Sequence, residues 1–302
     1  MVINCLKIYD QHFIHNLDLE VAQQLFEQSV CQIEMAISSF CNRRCKYCPN
    51  HRVDRISEKH YMEDTLFFNI INQLKNISYS NTITVHRYNE PLADVPNTLL
   101  RLSSLRSFLP KAIIRVVTNG DYLDKELLLS LASIGVDVIV ATVHADNPSN
   151  IFEIQVSELK NRVESLAMPF HYKYLENEKS YQAYIQCGKL NMVYQTVDFL
   201  CKKENGSSIA VDRGGYIKHE TAFERTAPCM IPFSQMQIEY DGTLLPCCNI
   251  HSGLDMHSSY VLGKLTKDSN IFVEWTNQNF VSWRRKLISE GKKEPPCTYC
   301  SM

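Results

Sequence analysis

From residue 32 to about 211 the chain alternates short β-rich runs with amphipathic helical patterns, an order that few architectures accommodate. Strand-like runs are expected at 32–38, 82–86, 112–117, 136–143, 170–174 and 207–211, and helical patterns at 62–77, 96–108, 124–134, 149–166 and 190–201. The 62–77 pattern places Leu66, Ile70 and Leu74 on one stripe and Glu63 and Asp64 in its first turn. Six β-then-α units predict an α/β fold in which a parallel sheet with outer helices curls into a partial (β/α)6 TIM-like barrel. Chemistry in such a barrel sits on the loops that follow the C-terminal ends of the strands. Past Gly214 the periodicity weakens and cysteine, proline and glycine become dense. The expected division is an N-terminal extension (1–31), a core barrel (32–214) and a small cysteine-rich C-terminal domain (215–302). That last part should hold a hairpin at 233–246 turning on Asp241-Gly242 and a helix at 275–289.

The chain has 302 residues, 45% of them hydrophobic, enough for one large core plus a small module. Its net charge of −2 gives no electrostatic case for nucleic acid or an anionic membrane. No apolar run approaches the roughly 20 residues of a membrane helix. The N-terminus lacks the pattern of a signal peptide, so a cytoplasmic location is expected. There are twelve cysteines, and they cluster. In a large chain without a secretion signal, that favours metal ligation over disulfides.

Three thiols, Cys41, Cys45 and Cys48, share one loop just after the first expected strand. Three thiolates leave one corner of a four-iron cluster open for a small ligand. A zinc site is the alternative, with His51 as fourth ligand. The CxxxCxxC spacing, with aromatic Tyr47 before the last cysteine, resembles the radical S-adenosylmethionine (radical SAM) family. The resemblance continues in Glu90-Pro91 after the second strand, where the family's preceding glycines are here Tyr88 and Asn89, in Asn119 after the third, and in His144 after the fourth. It implies that the cysteines bind a [4Fe–4S] cluster and that Tyr47, Glu90, Asn119 and His144 surround S-adenosylmethionine, with Glu90 facing its ammonium. It also implies cleavage of the sulfonium to a 5′-deoxyadenosyl radical that takes hydrogen from a C–H bond, with a flavodoxin- or ferredoxin-type electron donor.

A second group comprises Cys229, Cys247, Cys297 and Cys300. Taken alone it suits a zinc ribbon equally well. Behind a radical SAM core it resembles a SPASM/Twitch-type auxiliary domain in truncated form, which implies one further [4Fe–4S] cluster. The spacing is most similar to the deoxy-scyllo-inosamine dehydrogenase and neomycin-type epimerase group, implying a small carbohydrate, aminocyclitol or amino-sugar substrate. That resemblance assigns Arg213 to a substrate hydroxyl; a structural salt bridge is the other reading of the same residue. Cys248, beside a ligand and spare, reads either as a hydrogen-atom donor that would make the enzyme an epimerase, or as a small buried hydrophobe. Two rival functions remain. Modification of a ribosomal peptide is opposed by the short stretch before the first strand, and a non-catalytic zinc or iron–sulfur scaffold by the combined motifs. A monomer or dimer is expected.

Overall fold

The computed structural model describes residues 10–144, 152–198, 211–217 and 223–302. Helix α1 (Leu19–Ser29) leads into strand β1 (Gln32–Met35). With β1 opening the first, four β/α units then run in order: α2 (Asp64–Asn76), β2 (Thr82–Thr84), α3 (Val95–Phe108), β3 (Ile113–Thr118), α4 (Lys125–Ile134), β4 (Val138–Thr142) and α5 (Phe152–Ser165). Local chemistry sets their boundaries. The side chains of Asp94 and Asp124 cap α3 and α4 by accepting from Asn97 N–H and Leu127 N–H, and Gly135 ends α4 at φ +94°.

Strands β1 to β4 pair in parallel and in sequence, with Ile33, Ile83, Ile114, Val116 and Ile139 wholly buried beneath the helices. The partial parallel barrel stands as expected; the segments that supply its last two strands differ. Residues 170–174 do not continue it. They lie in β5 (Phe170–Leu175), an edge strand antiparallel to β6 (Ser180–Cys187). The helix expected at 190–201 is instead strand β7 (Leu190–Val197), which pairs parallel to β4. Burial there alternates with period two through Leu190, Met192, Tyr194 and Thr196, and Gly188 at φ +61° turns the β6–β7 hairpin. Of the strand expected at 207–211, residues 207–210 lie outside the described residues.

The sixth parallel strand comes from the C-terminal part. After a single helical turn, β8 (Gln235–Ile238) pairs parallel to β1, and β9 (Thr243–Leu245) returns antiparallel through the expected Asp-Gly turn. With β10 (Gly263–Lys264) this makes one ten-stranded sheet, ordered β10-β9-β8-β1-β2-β3-β4-β7-β6-β5. The helix expected at 275–289 is two: α6 (Ile271–Trp275) and α7 (Gln278–Ile288). Asn277 separates them, its side-chain oxygen accepting from the N–H groups of Asn279 and Phe280. Arg284 of α7 is fully buried 4.0 Å over the Trp275 ring and donates to the Pro232 and Trp275 carbonyls. It thereby fastens α7 to α6 and to the helical turn that precedes β8. Among the described residues no helix is long and apolar enough to cross a membrane.

Candidate active site

A cavity of about 410 Å³ opens at the C-terminal ends of the parallel strands. Each strand delivers side chains to it through the loop that follows. After β1 come Cys41, Cys45, Tyr47 and Cys48; after β2, His86, Tyr88 and Glu90; after β3, Asn119; after β4, His144. Arg213 and Cys248 line it from the C-terminal part. The structure therefore gathers every residue expected around the first cluster and its cosubstrate, together with both expected substrate-facing groups.

The loops are tied to one another by charge. Arg43, inside the cysteine loop, makes a two-pronged ion pair with Asp121 after β3 (2.6 and 2.5 Å) and donates to the His144 carbonyl at 3.0 Å. Burial works against the Asp121 anion, but Arg43, Asn42 and Arg162 hold its carboxyl down to about 2. Glu90 joins the loops after β2 and β3. Its oxygens accept from Leu92 N–H (3.0 Å), Thr118 Oγ1–H (2.6 Å) and Asn119 N–H (2.7 Å). Burial nevertheless pushes it up to about 7. Three of its roughly four lone-pair sites are taken, leaving room for one further donor such as an ammonium. Asn119 is likewise engaged, donating to Asn42 Oδ1 at 2.8 Å and accepting from Asp121 N–H.

Burial, followed by the Arg43 and Arg213 charges, holds His144 down to about 4, and its ring lies 5.8 Å from Tyr47. Burial with Arg87, Arg213 and Arg115 takes His86 down to about 3. Both imidazoles are therefore neutral near pH 7. Burial pushes Cys248 up to about 11, so it is a thiol and not a thiolate. His51, the fourth ligand a zinc site would use, is exposed, with Nδ1 3.3 Å from the Arg44 carbonyl.

Sequence reasoning missed several groups in the cavity. Glu34 projects from β1 itself, its carboxyl raised by burial against the opposing charges of Arg87 and Arg115. His86, Arg87 and Gln195 also line the wall. Their signal was available only as position: each belongs to, or directly follows, a parallel strand near its C-terminal end.

Behind this wall, Cys229, Cys247, Cys297 and Cys300 line a second, small pocket with Arg225 and Asn249. None of the seven expected ligand cysteines is in a disulfide. Arg225, buried, holds the tail that brings in the last two. Its guanidinium donates to the carbonyls of Pro228 (2.7 Å), Cys300 and Met302, and its N–H to the Thr298 carbonyl. Asn249 Nδ2 lies 3.5 Å from Cys300 Sγ. Cys247 faces this pocket while its neighbour Cys248 faces the cavity. The loop between them is held by Tyr88 Oη, which donates to the Cys248 carbonyl at 2.9 Å, and by Arg87, which donates to the Ile250 carbonyl at 2.9 Å.

The donor sets suit iron–sulfur clusters. Soft sulfur surrounds each pocket, and burial drives Cys41 and Cys297 up to about 12, a cost that bound metal cations reverse. Among the described residues no three His, Cys, Asp or Glu side chains stand close enough to share one metal ion. Ligands of a four-iron cluster bind separate irons and stand further apart.

The radical SAM superfamily model matches residues 35–170, and a SPASM iron–sulfur cluster-binding domain matches residues 229–301. The chain carries a radical SAM domain followed by a SPASM domain. It is a radical SAM enzyme whose cofactors are S-adenosylmethionine, a SAM-binding [4Fe–4S] cluster and an auxiliary one. It is 25% identical over 272 residues to the S-adenosyl-L-methionine-dependent 2-deoxy-scyllo-inosamine dehydrogenase of Niallia circulans, covering 89% of this chain and 92% of that protein. The fold is similar to that of BtrN solved in complex with AdoMet and 2-DOIA, with a TM-score of 0.61 and 24% identity over 86% of this chain and 88% of that one. BtrN in an open conformation gives 0.57 and 21%, over 90% and 92%.

Proposed function

We propose that this radical SAM enzyme removes a hydrogen atom from a hydroxyl-bearing carbon of a small aminocyclitol or amino sugar and oxidises that carbon to a ketone. The observation that carries the reading is the shared cavity. The three-cysteine loop, Arg213 and Cys248 all line it, and about 410 Å³ suits small molecules. The wall chemistry fits a polyhydroxylated amine: Glu34 offers a carboxylate to an ammonium, Arg213 a guanidinium to a hydroxyl oxygen, and Gln195 with two neutral imidazoles offers further polar partners.

In this reading Cys41, Cys45 and Cys48 hold the SAM-binding cluster, and Cys229, Cys247, Cys297 and Cys300 the auxiliary one. Tyr47, Glu90, Asn119 and His144 surround the cosubstrate. Bound there, the first cluster and S-adenosylmethionine supply the hydrogen-abstracting radical, and the auxiliary cluster an acceptor for the remaining electron. The protein's own residues orient the substrate, keep water out and stabilise the hydroxyl as it loses its proton. The functional division follows 1–31, 32–214 and 215–302. A flavodoxin- or ferredoxin-type carrier supplies electrons, and a cytoplasmic, reducing setting keeps the thiols available. The protein works as a monomer or dimer.

Epimerisation is a second reading, and it rests on Cys248. A protonated thiol on the cavity wall is a ready hydrogen-atom donor. Anaerobic turnover of candidate aminocyclitols in deuterium oxide, with wild type and Cys248→Ala, tests both. Oxidation predicts a ketone from both proteins. An epimer carrying solvent deuterium, lost in the alanine variant, would replace oxidation with epimerisation. If neither protein forms 5′-deoxyadenosine in response to any such substrate, the proposed substrate class is wrong.

A further inference from the structure

Arg213 sits in an expensive conformation. It has φ +52°, and Gly214 and Gly215 follow at +64° and +84°, so three consecutive residues are left-handed. A non-glycine residue there costs on the order of 1 kcal/mol and persists only where its surroundings hold it. One set of holds is local: Gly214 N–H donates to Asp212 Oδ1 at 3.2 Å, Tyr216 N–H to the Arg213 carbonyl at 3.3 Å and Ile217 N–H to the Asp212 carbonyl at 2.9 Å. The other is distant in sequence. The His257 ring, completely buried, has Nε2 3.0 Å from the Gly214 carbonyl. A Cβ added to Gly214 would fall 2.9 Å from that nitrogen, so the ring lies directly against the turn.

The protonation of this imidazole follows from its partners. His257 Nδ1 is 3.1 Å from the backbone N–H of His251, which can only donate. Nδ1 is therefore the acceptor, and the neutral ring carries its proton on Nε2, where it donates to Gly214. His251 repeats the pattern: Nδ1 accepts from Gly253 N–H at 3.0 Å, so Nε2–H faces Asn50 Oδ1 at 3.3 Å. Asn50 Nδ2 then donates to the Tyr88 carbonyl at 2.7 Å. The Tyr88 ring lies 4.5 Å from the His251 ring, and the Arg213 and Arg87 guanidinium groups each lie 5.9 Å from it. The contacts form a closed circuit from Arg213 through Tyr88, Asn50, His251 and His257 back to Gly214.

We infer that His257 is a positioning residue for Arg213. It lines no part of the cavity itself; its Nε2–H fixes the strained turn and so the place of the guanidinium on the cavity wall. The inference rests on the proposed role of Arg213 at a substrate hydroxyl. His251 and Asn50 complete the circuit by fixing the tautomer of His257 and the backbone of Tyr88.

The test compares His257→Leu, which donates nothing, with His257→Gln, whose amide can still reach Gly214, in the cluster-loaded enzyme. The first readout needs no substrate: the rate at which phenylglyoxal labels Arg213, followed by peptide mass spectrometry. His257→Leu should speed labelling several-fold, and His257→Gln should restore it toward wild type. The second uses 2-deoxy-scyllo-inosamine as probe. Here His257→Leu should lower kcat/KM about tenfold, mainly through KM, as expected for one buried hydrogen bond left unmade. In an Arg213→Ala background it should lower it no further. If His257→Leu does not load iron, His257→Asn, too short to reach Gly214, takes its place. Unchanged labelling of Arg213, or full additivity with Arg213→Ala, overturns the inference. If Arg213→Ala alone leaves turnover intact, the assigned role of Arg213 falls and the positioning claim with it, while the labelling rate still reports whether His257 holds the turn.

Discussion

Glu90 has three donors aimed at two oxygens inside a buried wall. A glutamine offers one acceptor oxygen and an amine that only donates, so at least one of these donors would meet another. Glu90→Gln should therefore cost about 1–3 kcal/mol in denaturant titrations and reduce the yield of 5′-deoxyadenosine. The histidines make a prediction about pH. His144 is held down to about 4, below an unfolded value near 6.5, so the unfolded chain binds the extra proton. The stability it confers is whole above pH ~6.5 and is lost as pH falls toward about 4, by at most about 1.4 kcal/mol per pH unit. Glu90, raised to about 7, runs the other way: its contribution is full below about pH 4.5 and is lost as pH rises through about 7. Wild type should accordingly lose stability relative to His144→Phe between pH 6.5 and 4.5. A constant gap over that range would show that His144 is not a buried neutral ring. At this scale the cysteines were legible because their spacing is local. Glu34 and the Arg43–Asp121 pair were not, because what identifies them is contact between loops 78 residues apart or a position on a strand that no motif marks.

Elements were legible where helical runs met clear end residues, as in α2, α3 and α4, and misread where a turn went unrecognised. The Gly188-Lys189 turn was the missed signal; without it, the run from Leu190 can be mistaken for a helix, although its burial alternates every second residue. The consequence reaches the site, since β7 carries Gln195 to the cavity. It also carries Tyr194, which fills the space beside Gly120 of the loop after β3. A Cβ on Gly120 would stand 2.2 Å from Tyr194 Oη, and the residue has φ +75°. Gly120→Ala thus combines a clash with backbone strain and should destabilise by about 2–4 kcal/mol, measured as a fall in thermal midpoint. Tyr194→Phe should not rescue it fully, because the ring carbon Cζ would still lie 2.8 Å away.

At the scale of the whole molecule, the first cysteine group lines the cavity and the second a separate pocket, with the adjacent Cys248 and Cys247 one in each. Replacing Cys297 and Cys300 with alanine should leave about four irons per chain instead of about eight, with S-adenosylmethionine cleavage retained and substrate oxidation lost. Replacing Cys41 and Cys45 should abolish 5′-deoxyadenosine formation. Iron and sulfide analysis beside product assays separates the two. Wild-type protein with two metal ions and no sulfide would contradict the cluster assignment outright.

The same scale holds a consequence of the strand order. Gln235–Ile238 hydrogen-bonds along the full length of Gln32–Met35, the strand that launches the first cysteine loop. The auxiliary part is therefore not a cassette that can be exchanged between scaffolds. A graft from another enzyme must supply a matching strand in the correct register, or it leaves an apolar ribbon of unpaired amides beside the first cysteine loop, open to self-association.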